Sequence, residues 1–465
     1  MLNLLLISNT DLKSEAFLMT NLYAKPELLS PAGSLKNMRY AFAYGADAVY
    51  AGQPRYSLRV RNNEFNHENL AIGINEAHAQ GKKFYVVVNI APHNSKLKTF
   101  IRDLEPIVNM KPDAFIMSDP GLIMLVREHF PDMEIHLSVQ SNAVNWATVK
   151  FWHKMGLTRV VLSRELSLDE IAEIREKVPE MELEVFIHGA LCMAYSGRCL
   201  LSGYINKRDS NQGTCTNACR WKYKVAEGKE DEVGQIVHKC EPISVKQVEP
   251  TLGIGQTTSK VFMLEESGRP GEYMQAYEDE HGTYIMNSKD LRAVELVDDL
   301  TKIGVHSLKI EGRTKSFYYC ARTAQVYRQA IDAASEGKPF DPRLLQELNA
   351  LAHRGYTEGF LRRHKHEEMQ NYEHSHSVSE RQQFVGEFSG ERLNGLAEVI
   401  VKNKFSVGDS VEMMTPKGNK TFTIERMENK KGQPVPAGLG DGHIVYIPIP
   451  EEIDLNYALL MRNFD

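Results

Sequence analysis

The sequence lacks the long apolar run that a membrane-spanning helix requires. No window contains about 18 consecutive apolar residues. The apolar stretch from Leu2 to Ile7 is short, follows no basic segment and is itself followed by charged residues, which is unlike a signal peptide. We therefore expect no membrane partner, and we interpret residues 1–24 as an N-terminal extension ahead of the first strand.

Cysteine is also scarce, and its distribution is uneven. Six cysteines in 465 residues are too few for a disulfide scaffold, yet four of them fall within one 28-residue stretch. Thiols grouped in this way suit metal ligation in a reducing compartment, so we expect a cytoplasmic protein.

The common local signatures of hydrolytic enzymes are missing as well. There is no HExxH helix, no GxSxG elbow and no phosphate-binding GxxxxGK segment. A peptidase needs an activated nucleophile or a metal-bound water, and no local motif for either is present. This absence disfavours a peptidase but leaves it open as an alternative.

What the sequence does contain is a repeated helix–glycine–strand unit. Ser34 is placed to cap a helix that ends at Gly45, and the apolar run Ala48 to Tyr50 then predicts a strand. The same pattern recurs along the chain and predicts eight short strands, at 28–29, 48–50, 84–88, 114–117, 135–139, 160–162, 183–187 and 307–310.

Strands that are apolar on both faces and separated by helices indicate a parallel sheet. Eight such units favour a closed (β/α)8 TIM-like barrel over residues 25–352, and a doubly wound open sheet is the alternative. Polar residues directly follow several strands, at the barrel end where active sites lie. The candidate catalytic residues among them are Glu165, His188 and Glu311.

Changes in amino-acid composition divide the rest of the chain into distinct segments. A cysteine-cluster loop over residues 189–222 and an acidic, turn-rich insertion over 225–283 interrupt the barrel between late strands. A polar linker over 353–383 precedes short β-rich runs with turn signals, which predict a small β-barrel domain over 384–465.

The cysteine cluster consists of Cys192, Cys199, Cys215 and Cys219. Six, fifteen and three residues separate the successive members, and only the last pair has the spacing that zinc sites prefer. A wide and uneven loop suits an iron–sulfur cluster, whose larger body is reached from well-separated positions. Structural zinc and four buried free thiols remain the alternatives.

The chain lacks an overall basic charge, but two segments are locally basic. The formal net charge is −6, so contact with a nucleic acid requires a local patch. The segment from Arg198 to Lys224 has a local charge of +5, and the segment around the last barrel strand has +4. Ordinary solvated charge is the alternative to RNA binding. The candidate RNA-binding residues are Arg198, Lys207, Arg208, Arg220 and Lys222.

Four motifs identify a family resemblance. The run EVFIHGALC from Glu184, continued by Gly197, Cys199 and LS at 201–202, resembles the hallmark of the collagenase-like peptidase family of unassigned catalytic type. The segments PELLSPAG (26–33), YGADAVYAG (44–52) and KIEGR (309–313) fit the same family. The resemblance extends from Pro26 to the C-terminus, and the small C-terminal β domain is most similar to the members that hydroxylate tRNA.

The resemblance implies an activity that composition and spacing do not. It implies prephenate-dependent 5-hydroxylation of the wobble uridine of tRNA, the first step toward 5-carboxymethoxyuridine, with a 4Fe-4S cluster on the family cysteines. Cys192 and Cys199 match the motif directly, and Cys215 and Cys219 follow at a compatible spacing. Arg55 and Arg313 are our candidates for binding the carboxylates of prephenate. A peptidase and an RNA-binding protein with a structural metal are the alternative functions.

Overall fold

The computed structural model describes most of the chain, and the structural statements below refer to that part. The described residues are 24–58, 63–191, 223–230, 236–242, 261–266, 273–276, 278–279, 282–283, 289–353, 355–362, 381–440 and 442–464. The predicted N-terminal extension lies outside them except for residue 24, and so does most of the polar linker predicted over residues 353–383.

Seven short strands alternate with helices in the first part of the fold. The strands are β1 (Glu27–Pro31), β2 (Ala48–Gly52), β3 (Lys83–Val88), β4 (Ala114–Met117), β5 (Ile135–Leu137), β6 (Arg159–Val161) and β7 (Glu182–Ala190). The helices are α1 (Leu35–Ala43), α2 (His67–Ala79), α3 (Asn94–Leu97), α4 (Phe100–Asn109), α5 (Pro120–His129), α6 (Trp146–Lys154) and α7 (Leu168–Lys177). Local sequence sets their ends: the Ser34 hydroxyl accepts a hydrogen bond from the Asn37 amide at 3.1 Å, which confirms the predicted cap of α1.

An antiparallel sheet follows β7 in the chain. It consists of β8 (Tyr223–Glu230), β9 (Ile236–Pro242), β10 (Val261–Glu266) and β11 (Tyr273–Ala276), in the order β11-β10-β8-β9. A short pair, β12 (Glu278–Asp279) and β13 (Gly282–Thr283), comes next, and β14 (Asp290–Arg292) then pairs antiparallel with the end of β7. The region predicted as an acidic insertion therefore contains strands of its own.

The eighth strand closes the barrel. Helix α8 (Val297–Ile303) leads into β15 (Ser307–Ile310), which pairs in parallel with both β7 and β1. The ladder from β1 to β7 is parallel throughout, so the predicted closed barrel is confirmed and contains all eight predicted strands. Helices α9 (Phe317–Ser335) and α10 (Arg343–Asn349) follow, and β16 (Tyr356–Thr357) pairs with β14.

The C-terminal domain is an antiparallel sheet. Six strands are arranged in the order β21-β20-β24-β17-β18-β23, and β19 pairs with β22. Their bounds are β17 (Gln382–Leu393), β18 (Leu396–Val401), β19 (Phe405–Ser406), β20 (Ser410–Thr415), β21 (Gly418–Thr423), β22 (Ala437–Gly438), β23 (Ile444–Ile447) and β24 (Leu459–Asn463). The domain has its own apolar core, which contains Val399, Phe405 and Leu460.

The C-terminal domain is docked firmly against the outside of the barrel. Met414, Leu459 and Met461 belong to the apolar core that fills the space between barrel strands and helices. Arg322 of α9 is fully buried at this boundary and contacts Glu412 of β20. Because apolar and charged contacts both cross the boundary, the two domains form one continuous packed structure.

Candidate active site at the carboxyl end of the barrel

The predicted metal ligands and RNA-binding residues lie outside the described residues. This holds for the four clustered cysteines and for Arg198, Lys207, Arg208, Arg220 and Lys222. The residue before Cys192 is described: Leu191 is buried and packs with Phe186, Val161 and Leu291. The cysteine-containing loop therefore starts at the carboxyl end of the barrel. Within the described part of the chain, no group of three or more His, Cys, Asp or Glu side chains is arranged to hold a metal ion.

The four family motifs lie on four adjacent strands. They form β1, β2, β7 and β15, although 275 residues separate the first motif from the last in the chain. The barrel order places β15 between β7 and β1, with β2 beyond β1. The motifs therefore build one side of the barrel, from its amino end to its carboxyl end.

Two motif glycines allow β7 and the segment after β15 to approach closely. Gly189 has φ +102° and Gly312 has φ +148°, a region that side chains rarely adopt. A Cβ at Gly189 would lie 2.5 Å from the carbonyl oxygen of Glu311, and one at Gly312 would lie 2.6 Å from the Tyr319 ring. The backbone of Glu311 is held in this gap, where its carbonyl accepts a 2.7 Å hydrogen bond from the Tyr319 hydroxyl.

Arg313 lies inside the mouth of the barrel. Its Nη1 donates a 2.7 Å hydrogen bond to the Ser57 hydroxyl, and its guanidinium lies 5.8 Å from the centre of the Tyr50 ring. Gly52 makes room for this arrangement, since a Cβ there would lie 2.7 Å from Ser57 Oγ and 3.0 Å from Arg313 Nη1. Arg313 is thus held by β2 and the loop that follows it.

Arg164 is a second guanidinium at the same mouth. It stacks 3.9 Å from the centre of the Phe186 ring and donates a hydrogen bond to the Ala190 carbonyl at 3.1 Å. Its Nη2 lies 3.8 Å from Glu311 Oε2. Arg164 had no role assigned from the sequence, because its neighbours lie on β7 and directly after β15, far away in the chain.

Tyr50 lies beside these charged groups at the mouth. Its hydroxyl donates to the Ile310 carbonyl oxygen at 2.8 Å and lies 3.3 Å from Glu311 Oε2. Burial, together with the Glu311 carboxylate, raises the pKa of Tyr50 well above its ordinary value, so the phenol stays protonated. Two guanidiniums, a phenol and one carboxylate therefore line the mouth, a set suited to binding and orienting an anionic substrate.

The other candidate residues occupy different surroundings. Glu165 accepts a hydrogen bond from the Ser163 hydroxyl beside the mouth. Arg55 forms a 2.6 Å ion pair with Asp103, and half of its side chain is exposed. The structure thus brings Glu311 and Arg313 to the mouth and places Arg55 at its outer edge.

His188 lies at the end of β7 but packs against tyrosines. Its ring contacts Tyr319, Tyr327 and Tyr356, with centroids 5.5 to 5.8 Å apart. Burial, with the charges of Lys315 and Arg292 nearby, lowers its pKa to about 3, so the imidazole is neutral at physiological pH. The Tyr327 hydroxyl donates its one proton to the Ile187 carbonyl at 2.8 Å, so His188 Nδ1, 3.2 Å away, is the donor in their contact.

The amino end of the barrel holds a buried network of charges that the sequence did not predict. Arg159 Nη1 lies 2.6 Å from Glu27 Oε1 and 3.3 Å from Glu184 Oε2. Lys309 donates to Glu184 Oε1 at 2.7 Å. Burial alone would raise the pKa of Glu184, but Lys309 and Arg159 hold it below its ordinary value, so this carboxylate is ionised. Glu27, Glu184 and Lys309 are all motif residues.

Comparisons with known proteins identify the family. Residues 33–371 match the Peptidase family U32, and residues 380–462 match the Peptidase family U32 C-terminal domain. The chain therefore belongs to peptidase family U32, a class in which this barrel and this C-terminal sheet occur together. No helix in the described part of the chain is long and apolar enough to cross a membrane.

Within that family, this chain is similar to RNA hydroxylation proteins. It is 78% identical over 440 residues to tRNA hydroxylation protein P of Escherichia coli K12, covering 95% of this chain and 97% of that protein. It is 74% identical over 443 residues to tRNA hydroxylation protein P of Haemophilus influenzae, covering 94% and 96%. It is 30% identical over 349 residues to the 23S rRNA 5-hydroxycytidine synthase of E. coli K12, covering 73% of this chain and 46% of that protein.

Proposed function

We propose that this protein is a tRNA hydroxylase that acts on the wobble uridine, using prephenate, in the first step toward 5-carboxymethoxyuridine. The observation that carries the proposal is the 78% identity to tRNA hydroxylation protein P of E. coli, which extends over nearly the full length of both chains. The similarity to an rRNA 5-hydroxycytidine synthase supports hydroxylation of a pyrimidine in RNA as the reaction type. The choice of uridine and of prephenate comes from the family resemblance.

The mouth of the barrel is the proposed binding site for the carboxylates of prephenate. Arg313 and Arg164 present guanidinium groups there, and such groups bind carboxylates through paired charge-assisted hydrogen bonds. The Tyr50 hydroxyl, which donates its one proton to the Ile310 carbonyl, is neutral and adds no negative charge beside these guanidiniums. In this assignment Arg164 takes the place of Arg55, whose guanidinium is paired with Asp103.

The four clustered cysteines are the proposed ligands of a 4Fe-4S cluster. Four thiolates are the donor set of such a cluster, and Leu191, directly before Cys192, is packed at the mouth. When bound, the cluster would supply one-electron redox chemistry beside the substrate. The chain's own residues bind the anionic substrate, orient it and keep the Tyr50 proton in place. A reducing cytoplasm suits these thiolates.

Nucleoside analysis of a deletion strain tests the proposed reaction. In a strain without a redundant enzyme, deleting the gene is expected to remove 5-hydroxyuridine derivatives from digested total tRNA, as measured by mass spectrometry. Re-expression of the intact chain should restore them. Undiminished derivatives in the deletion strain would contradict the proposal, and cleavage of a collagen-like substrate by the purified protein would support the peptidase alternative.

Anaerobic purification tests the cluster separately. We expect visible absorbance and about four irons per chain, which is the content of one 4Fe-4S cluster, and loss of both in Cys192→Ala. As a control, Cys320→Ala should retain both, because Cys320 is a buried thiol on α9. A colourless protein that holds stoichiometric zinc would overturn the iron–sulfur assignment and favour a structural metal.

A further inference from the structure

The loops at the two ends of the barrel differ in charge. In the described part of the chain, the segments that lead from strands β1–β6 and β15 into the following helices hold six Lys and Arg and four Asp and Glu, when the one-turn helix α3 is counted with the segment between β3 and α4. The loops that lead from helices back into strands hold two Lys and Arg and five Asp and Glu. The carboxyl end is therefore the basic face of the barrel, although the whole chain has a net charge of −6.

The positive charge of that face is concentrated beside the mouth. The cationic lip, as we name it, consists of Arg55 in the loop after β2, Lys96 in α3, Lys98 directly after α3, and Arg102 in the first turn of α4. Lys98 is exposed, and Arg102 and Arg55 have side chains that are 75% and 51% exposed. Against these four cations stands Asp103.

Asp103 holds the two loops of the cationic lip together. Its Oδ2 lies 2.6 Å from Arg55 Nη1 and accepts 2.8 Å hydrogen bonds from the hydroxyls of Tyr56 and Thr99. The Tyr56 ring is fully buried and packs edge-on against Phe100. Because one carboxylate ties the loop after β2 to the start of α4, the lip residues are carried on a fixed backbone.

The lip is continuous with the mouth and carries unbalanced positive charge. Arg313 donates to Ser57, which directly follows Tyr56 in the same loop as Arg55. Burial and the positive charge of Arg55 lower the pKa of Lys96, which is the direction expected for repulsion between two cations. A polyanion placed across the lip would relieve this repulsion.

We propose that the cationic lip binds the phosphate backbone of the RNA substrate while the target base enters the barrel mouth. This inference rests on the proposed function, since it needs an RNA whose base reaches the mouth. Lys and Arg side chains that contact phosphates give affinity without reading sequence. The lip is therefore a positioning surface, separate from the arginines proposed to bind prephenate.

Binding of purified tRNA to the full-length protein at several salt concentrations tests the lip. The variant Lys98→Ala/Arg102→Ala is expected to weaken binding roughly tenfold at low salt and to reduce the slope of log affinity against log salt by about two, one for each lost phosphate contact. The loss should be the same for tRNAs with and without a wobble uridine, because phosphates carry no sequence information.

A matched variant on the opposite face distinguishes the lip from general electrostatics. Lys154 and Lys177 are exposed in the last turns of α6 and α7, at the amino end of the barrel. Lys154→Ala/Lys177→Ala removes the same charge and should leave affinity and salt slope unchanged, while Lys98→Arg/Arg102→Lys should retain binding. Thermal unfolding of each variant checks that the fold is intact.

The outcomes separate the lip from the proposed function. If the unaltered protein binds tRNA and the lip and control variants lose affinity equally, or neither loses any, the lip assignment is overturned while the proposed function stands. If the unaltered protein does not bind tRNA and tRNA of the deletion strain is unchanged, the proposed function itself fails and the lip fails with it.

Discussion

The two ends of the barrel interior are built from the same motif strands, but their charged side chains are paired differently. At the amino end, Arg159 and Lys309 lie within 2.6 to 3.3 Å of Glu27 and Glu184, and the charges balance. At the carboxyl end, Arg164 is 3.8 Å from Glu311, and Arg313 binds a neutral hydroxyl. Removing one partner from a buried ion pair is costly, whereas guanidinium groups at a barrel mouth suit the binding of carboxylates. The motif strands therefore contribute to a buried charge network at one end and to the proposed prephenate site at the other.

The largest expected effect comes from breaking the amino-end network. Glu184→Gln removes the carboxylate from beside Lys309 and Arg159 and leaves both cations buried without it. We expect the free energy of unfolding to fall by roughly 3 to 5 kcal/mol, measured by denaturant titration. Glu180→Gln, at an exposed position in the preceding loop, should change it by less than about 0.5 kcal/mol. If Glu184→Gln and Glu180→Gln were equally stable, the claim that the amino-end network has a structural role would be wrong.

A smaller effect, on activity rather than stability, is expected at the carboxyl end. Arg313→Met should reduce hydroxylation by roughly 30- to 150-fold through a higher KM for prephenate, because a charge-assisted contact of about 2 to 3 kcal/mol is lost. Its free energy of unfolding should fall by less than that of Glu184→Gln, because the hydrogen bond to Ser57 that is lost involves a neutral hydroxyl. The KM of Arg313→Lys for prephenate should be intermediate, since lysine keeps the positive charge but lacks the paired N–H donors of the guanidinium group. An unchanged KM in Arg313→Met would contradict the assignment.

The smallest expected effect is a pH dependence that arises behind the mouth. The pKa of His188 is lowered to about 3 in the folded protein, whereas an unfolded histidine titrates near 6.5. As pH falls below about 6.5, His188 binds a proton in the unfolded chain but not in the folded protein. Proton binding therefore favours the unfolded chain, and this group makes the protein less stable at lower pH. Between about pH 6.5 and 5 the loss is about 2 kcal/mol.

Unfolding titrations of His188→Gln at both pH values measure this contribution. The stability difference between the unaltered protein and the variant should shrink by that amount at the lower pH. The same substitution at His67, which is exposed at the start of α2, is the control. A difference that does not change with pH would show that His188 takes up a proton equally readily in the folded and unfolded states, and would contradict the lowered pKa.

The fold was predictable because its signals are local. The barrel strands are short apolar runs that, from β2 onward, follow helices, and the cap of α1 follows from Ser34 and its neighbours alone. Glu311 and Arg313 were assigned correctly to the rim because they directly follow the apolar run of β15. Signals of this kind need no knowledge of which strands become neighbours.

The amino-end network was not predictable, because its partners are distant in the chain. Glu27 and Arg159 are 132 residues apart, and Glu184 and Lys309 are 125 apart. In strands that are apolar on both sides, the pattern also does not show which side chains face the barrel interior. His188 illustrates a related difficulty. The β7–β15 pairing shifts register between Lys309 and Ile310, which redirects the residues that follow.

The shared core of the two domains has a consequence for biosynthesis. The helical side of the barrel that carries Tyr44 and Arg322 is completed by Met414, Leu459 and Met461. A ribosome therefore releases all eight barrel strands before the residues that cover this apolar face exist. Until Met461 has left the exit tunnel, the nascent barrel exposes apolar surface that the C-terminal domain later covers, and cotranslational folding cannot finish with the barrel alone.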